Sequence, residues 1–201
     1  MNSKLIIPIF PLNGEIFFPN TNLPLNIFET RYIEMIDYAL SNQKKIGIIK
    51  IKDNNNFYSV GCVGKINFYN ETKNGKYIIN LTGLNYFTLG KEIISKNKFK
   101  IHETTIISSK KNNSVILNET KYKKLVELYL KYIEINKIKI DISFINQVEK
   151  SLSIKFIAIS STFTIPEKQM LLETFDINKL MENIIILLEF YLKRGESKSI
   201  N

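Results

Sequence analysis

A chain of 201 residues with 44% hydrophobic and 23% charged side chains has the make-up of an ordinary globular protein, one domain or two small ones. Its net charge of +9, from 28 Lys+Arg against 19 Asp+Glu, admits an anionic partner. The abundance of Lys, Ile and Asn reads as compositional bias and discounts that charge. One Cys and one His exclude a disulfide framework, and a Cys/His zinc site built from this chain alone.

In chain order, the first predicted element is an apolar strand, Leu5–Phe10, ending at Pro11-Leu12 and a turn at Asn13-Gly14. A second apolar run, Ile16–Phe18, stops at Pro19, and a loop leads to Leu23-Pro24-Leu25. From Asn26 the period changes. Phe28, Tyr32, Met35, Ile36, Ala39 and Leu40 fall at helical spacing, with Glu29, Arg31, Glu34 and Asp37 off that stripe. Asn26 with Glu29 three residues on predicts a capping-box start.

The wording of this stretch is specific. Pro8-Ile9-Phe10-Pro11-Leu12, Phe18-Pro19, Leu23-Pro24-Leu25, Ile27-Phe28-Glu29 and Arg31-Tyr32 together resemble the opening of the Lon protease N-terminal domain, also called the Lon substrate-binding domain. Pro11, Pro19, Pro24, Phe28, Glu29, Arg31 and Tyr32 carry that signature. A structural role is expected of them, with Glu29-x-Arg31-Tyr32 locking the helix onto the sheet.

Lys45–Lys52 reads as a strand, and Asp53–Asn56 as a loop by composition. The clearest β sequence follows, in which Ile66 and Phe68 alternate with polar residues and Asn74-Gly75 suits a tight turn. Tyr77, Ile79 and Leu81 alternate with Ile78, Asn80 and Thr82, a pattern open to apolar character on both faces. Gly61, Gly64, Gly83 and Gly90 within β sequence predict bulges or close backbone approaches that curve a sheet. Phe99–Ile107 is expected to complete it. VGCVGKI and the strand Asn80–Leu89 resemble further strands of the same family. Tyr86 stands where that family usually has Arg, so no ionic role carries over to this position.

Ser108–Asn118 reads as a linker. Helical periodicity then takes over, in Glu119–Asn136 and again in Ile142–Ser160 through Phe144, Ile145, Val148, Leu152, Phe156 and Ile159. Pro166 suits the first turn of a short helix through Leu172. Asp176 is placed to cap a last helix, Ile177–Lys193. Glu167–Glu173 also resembles the helix that follows the barrel in Lon N-terminal domains.

Catalytic chemistry finds little support. The chain has no Gly-x-x-x-x-Gly-Lys-[Ser/Thr] phosphate loop and no Gly-x-Ser-x-Gly elbow. Cys62 lies among Val60, Val63 and Ile66 in predicted strand, where a small apolar role outweighs a Cys–His dyad with His102. Lys44-Lys45, Lys110-Lys111 and Lys123-Lys124 are scattered pairs, which default to a solvated surface. Full-length Lon proteases append an ATPase and a Ser–Lys peptidase, and either is expected only from another polypeptide.

The fold expected is α+β. A PUA-like mixed β pseudo-barrel with one inserted helix spans 1–107, a linker 108–118, and a helical subdomain 119–201. The resemblance implies a non-enzymatic recognition module that engages unfolded or partner polypeptides, with a separate protease among the candidate partners. Phe17, Phe57 and Tyr86, in or beside loops, are the candidate peptide anchors. The alternative is a nucleic-acid (RNA) binding protein, on the basic charge and the habits of PUA-like folds. No cofactor, metal or catalytic residue is expected. No apolar run approaches the ~20 residues a bilayer requires, and no export signal is evident, so a cytoplasmic location is expected.

Overall fold

The computed structural model describes residues 3–53, 56–107 and 116–199. Among these described residues, eight strands and six helices run in the order β1 (Lys4–Pro11), β2 (Asn22–Ile27), α1 (Thr30–Leu40), β3 (Lys45–Ile49), β4 (Ile51–Asp53), β5 (Asn56–Phe57), β6 (Val60–Glu71), β7 (Tyr77–Ile93), β8 (Ile101–Ile107), α2 (Glu119–Ile135), α3 (Ser143–Gln147), α4 (Lys150–Ser160), α5 (Ile165–Leu172) and α6 (Ile177–Ser199). Backbone contacts gather these into two compact units: β1–β8 with α1 and α5, and α2–α4 with α6.

The β-rich unit is a six-stranded mixed sheet in the order β2-β7-β6-β3-β1-β8, with an added β7–β8 pairing. β7 is long enough to close the sheet on itself. Along one edge it pairs with β6. Along the other its first half pairs with β2 (Ile79↔Leu25) and its second half with β8 (Phe87↔Ile106). β1 and β3 are parallel, which obliges the chain to cross over between them and places α1 in the connection. Pro24 sits in β2, an edge strand with a partner on one side only, where a missing N–H costs nothing.

Gly83 shows why curvature needs glycine here. A Cβ at this position would lie 2.1 Å from the Phe18 carbonyl oxygen. The Phe18–Thr21 turn is clasped there, Asn20 N–H donating to the Gly83 carbonyl and Gly83 N–H to the Thr21 carbonyl, both at 2.9 Å. The core beneath α1 contains Tyr32, Met35, Ile36 and Ala39 packed with Ile46, Cys62, Ile79 and Leu81. The first part of β7 is buried on one face only, with Tyr77, Ile79 and Leu81 inside and Ile78 exposed, whereas further along the adjacent Tyr86 and Phe87 are both buried.

Three sequence expectations change in the structure. Asn26 belongs to β2 and caps nothing. Glu29 is the N-cap of α1 and uses its backbone carbonyl, which accepts from Tyr32 N–H (2.8 Å) and Ile33 N–H (3.0 Å). The run Ile142–Ser160 divides into α3 and α4, because Val148 and Glu149 are extended. That break shifts the helical phase, so Ile154, Ile157 and Ala158 are buried while Phe144 is exposed. Finally α5, grouped by sequence with the helices, packs with the β-rich unit. Lys168 Nζ donates to the Gly14 carbonyl at 2.7 Å and Gln169 Nε2 to the Val60 carbonyl at 3.1 Å. The expected linker lies outside the described residues except for 116–118.

The helical unit packs α2 against α6. Asn118 caps α2, its Oδ1 accepting from Lys121 N–H, and Asp176 caps α6 in the same way from Lys179 N–H. Among the described residues, no helix is long and apolar enough to cross a membrane.

Candidate functional site

Five of the family-signature residues, Pro11, Phe28, Glu29, Arg31 and Tyr32, lie together at one end of the β-rich unit, while Pro19 and Pro24 lie elsewhere, in the turn against Gly83 and in β2 opposite Asn80. β1 ends at Pro11, and Ile9 N–H donates to the Lys100 carbonyl at 2.9 Å, which holds the segment Lys98–Lys100 beside β1. α1 begins at the same place. Tyr32 turns inward, 8% exposed, its ring 4.7 Å from that of Phe10. Burial pushes the Tyr32 phenol above its ordinary pKa, and the adjacent Arg31 opposes the shift. Deeper on the same helix, Asp37 accepts a 2.7 Å hydrogen bond from the Tyr77 hydroxyl. That bond is the main reason Tyr77 is pushed up to about 12.

Tyr32 therefore anchors the helix, but its neighbours do not share that role. Arg31 and Glu29 pair with each other at the surface (Nη2–Oε2 2.8 Å, Nε–Oε2 3.0 Å), and the guanidinium lies 4.6 Å from the Tyr32 ring centre. Phe28 precedes the helix and is 65% exposed, which corrects its expected place on the buried stripe.

Two adjoining depressions flank Arg31 and share Pro11, Arg31, Tyr32 and Ile51 in their walls. One, of about 340 Å³, reaches towards Phe28 past Leu12 and Ile27. The other, of about 330 Å³, reaches towards Phe57 and Phe99 and is lined by Lys98 and Lys100. Lys100 Nζ stands 5.5 Å from the Phe57 ring centre, and Phe57 also meets the His102 ring edge-on.

Of the three aromatics expected as anchors, only Phe57 borders this site. Phe17 is 3% and Tyr86 6% exposed, so both are corrected to core residues. Phe17 packs in the cluster beneath α1 although its backbone is irregular. Tyr86 pairs with Cys62 across β6–β7, and burial drives its phenol far above the ordinary range. A loop-like position in sequence does not decide on which side of the chain a ring falls.

Lys98, Lys100 and Phe99 were missed by the sequence reading. The alternation of charge with an aromatic, Lys98-Phe99-Lys100, was the available signal, just ahead of β8. Phe99 is indeed buried between them.

Cys62 is fully buried in β6, with Sγ 3.7 Å from the Val63 carbonyl. His102 lies in β8, its Nδ1 3.1 Å from the Gly90 carbonyl and its Nε2 3.8 Å from Glu92. They occupy different strands with different partners. Among the described residues, no group of His, Cys, Asp and Glu is arranged to hold a metal ion.

Comparison with known proteins agrees with this architecture. Crystallised Lon N-terminal domain protein from Xanthomonas campestris aligns with a TM-score of 0.69 at 15% identity, covering 90% of this chain and 98% of that one. The N-terminal domain of a Mycobacterium avium complex Lon protease aligns at 0.65 and 16% identity, covering 92% and 98%. In sequence, the Lon proteases of Buchnera aphidicola (subsp. Schizaphis graminum) and Dictyoglomus thermophilum are 23% and 25% identical over 94% of this chain. The chain spans about a quarter of the length of these relatives, 25% and 24% respectively. The profile of the ATP-dependent protease La (LON) substrate-binding domain matches residues 6–189, and the chain belongs to that family.

Proposed function

We propose that the chain is a non-catalytic module that recognises exposed apolar side chains of polypeptides at the Phe28–Tyr32–Phe57 end of the β-rich unit. One observation carries this reading. In a chain of a substrate-binding family, the signature residues Pro11, Glu29, Arg31 and Tyr32 border two adjoining depressions, with Phe28 standing in solvent beside them. An exposed aromatic at the rim of an apolar depression is the physical form of a binding anchor, because it gains burial only when a partner arrives. The module acts in the cytoplasm, on polypeptides destined for proteolysis.

The test is fluorescence anisotropy with a short neutral peptide carrying Leu-Phe flanked by Gly and Ser. Binding in the micromolar range is expected. It should be nearly flat between roughly 50 and 200 mM salt, since hydrophobic burial is not screened. Replacing Phe28 by Ala should weaken it about tenfold, the loss typical of one truncated anchor. Tight binding of oligouridylate with a steep salt dependence, and none of the peptide, would replace this reading with the nucleic-acid one.

A further inference from the structure

The two depressions beside Arg31 share apolar walls but differ in charge. The one towards Phe28 carries Glu29 together with Asn13 and Asn26. The one towards Phe57 is lined by Arg31, Lys98 and Lys100 and by no carboxylate. Each of these cations has an acidic partner: Glu29 for Arg31 at 2.8 Å, Glu34 for Lys98 at 2.5 Å, and Glu92 for Lys100 at 3.1 Å. All three carboxylates sit outside the cationic depression and are substantially exposed. Exposed pairs of this kind are weak, because water and salt screen them. The cations can therefore exchange partners at little cost. A carboxylate entering the depression meets all three, against the apolar surfaces of Ile9, Phe57 and Phe99, where screening is poorer.

The geometry points to a bipartite ligand: an internal stretch of polypeptide in which an apolar side chain and an Asp or Glu lie close in sequence. The apolar side chain seats beside Phe28 and the carboxylate among Arg31, Lys98 and Lys100. This rests on the peptide-recognition reading and adds the chemical class of the peptide and its direction across Arg31. A nucleic-acid phosphate fits less well, since it would satisfy the cations and leave the apolar depression empty. An internal segment fits better than a chain end, because the depressions adjoin through shared walls and the ligand continues past Arg31 on both sides.

Four peptides test this by anisotropy, three with both ends blocked and the fourth blocked at its N-terminus alone. They share a Leu-Phe pair followed by Asp-Glu, Asn-Gln or Lys-Lys, or by Asn-Gln with a free terminal carboxylate. At low salt the Asp-Glu peptide should bind about tenfold tighter than the Asn-Gln peptide, and the Lys-Lys peptide weakest, as charge complementarity requires. The advantage should shrink to about twofold near 500 mM salt, where the Debye length falls to a few ångströms. The double variant Lys98→Gln, Lys100→Gln should lose most of the preference for the Asp-Glu over the Asn-Gln peptide, Arg31 retaining the remainder. Each single variant should lose part of the preference, with circular dichroism unchanged because both lysines are surface residues. Equal binding of the Asp-Glu and Asn-Gln peptides by the intact chain would overturn the inference and leave the peptide-recognition reading standing. Stronger binding of the peptide with the free terminal carboxylate would overturn the internal-segment assignment. If none of the peptides binds, both readings fall.

Discussion

Tyr129 and Tyr132 of α2 are completely buried, and each hydroxyl meets another, Ser160 at 2.7 Å and Thr162 at 2.6 Å. At the start of α1 the aromatic residues are disposed otherwise. Tyr32 is tucked against Phe10, but Phe28 faces solvent and the nearby cations hold only exposed carboxylates. The rings of Tyr129 and Tyr132 in the helical unit contribute through burial and a satisfied hydroxyl, which is how a tyrosine stabilises a core. At the α1 end, apolar area stays exposed and the cations hold only solvent-exposed partners, which leaves energy available for a ligand. The difference teaches that the family signature combines both uses within five residues: Tyr32 holds the helix, while Phe28, Glu29 and Arg31 face outward.

The sharpest way to break that contrast is to empty the buried side of it. Tyr132→Ala removes a fully buried ring that lies 6.1 Å from Phe163 and 6.2 Å from Tyr191, and leaves Thr162 without its partner. A loss of about 3–5 kcal/mol is expected in urea unfolding, in line with buried aromatic truncations. A loss under about 1 kcal/mol would mean the helical unit is loosely packed.

Gly83→Ala comes next. The added methyl would meet the Phe18 carbonyl oxygen at 2.1 Å, and backbone cannot swing away as a side chain would. The turn clasped against β7 should open, at about 1–3 kcal/mol, the range for overpacking. Hydrogen exchange should then show Asn20 losing protection before the sheet does.

Tyr77→Phe probes a single bond between α1 and β7. Removing the hydroxyl that donates to Asp37 should cost about 1 kcal/mol at neutral pH. The folded phenol has its pKa raised to about 12, from the ordinary value of about 10 in the unfolded chain. The stabilisation is therefore complete below about pH 10 and lost as the pH rises through 12. Unfolding curves of the variant and the parent should converge across that window, and a gap that persists above it would count against the Tyr77–Asp37 bond as its source.

The smallest effect on stability belongs to Phe28→Ala. An exposed ring removed from the surface should change unfolding free energy by no more than about 0.5 kcal/mol. If the midpoint instead drops as far as for Tyr77→Phe, Phe28 is structural and the contrast between the two regions dissolves.

Much of the fold was legible because local periodicity and turn chemistry agreed with it. Alternation marked β6 and β7, Asn74-Gly75 marked their turn, with Gly75 at φ +68°, and Asp176 and Pro166 marked the starts of α6 and α5. The capping of α5 is also written in sequence, since Thr164 and Glu167 bond at 2.7 Å with the spacing of a capping box. Asn26 misled for the opposite reason. A residue with a good capping side chain stays in β2 when the strand pairing, Asn26↔Ile78, claims its backbone first.

The sequence by itself determined the family, the α+β class and most element positions, because those depend on interactions between residues near in the chain. Tertiary structure alone decided which aromatics face water, since burial of Phe17 and Tyr86 and exposure of Phe28 depend on what packs over them from distant strands. It also brought Lys98 and Lys100 beside Arg31, some 70 residues away in sequence. That juxtaposition follows from β1 pairing with β8 and β3 while α1 occupies the crossover. Closure of a sheet brings distant residues together, and no local pattern in the chain records it.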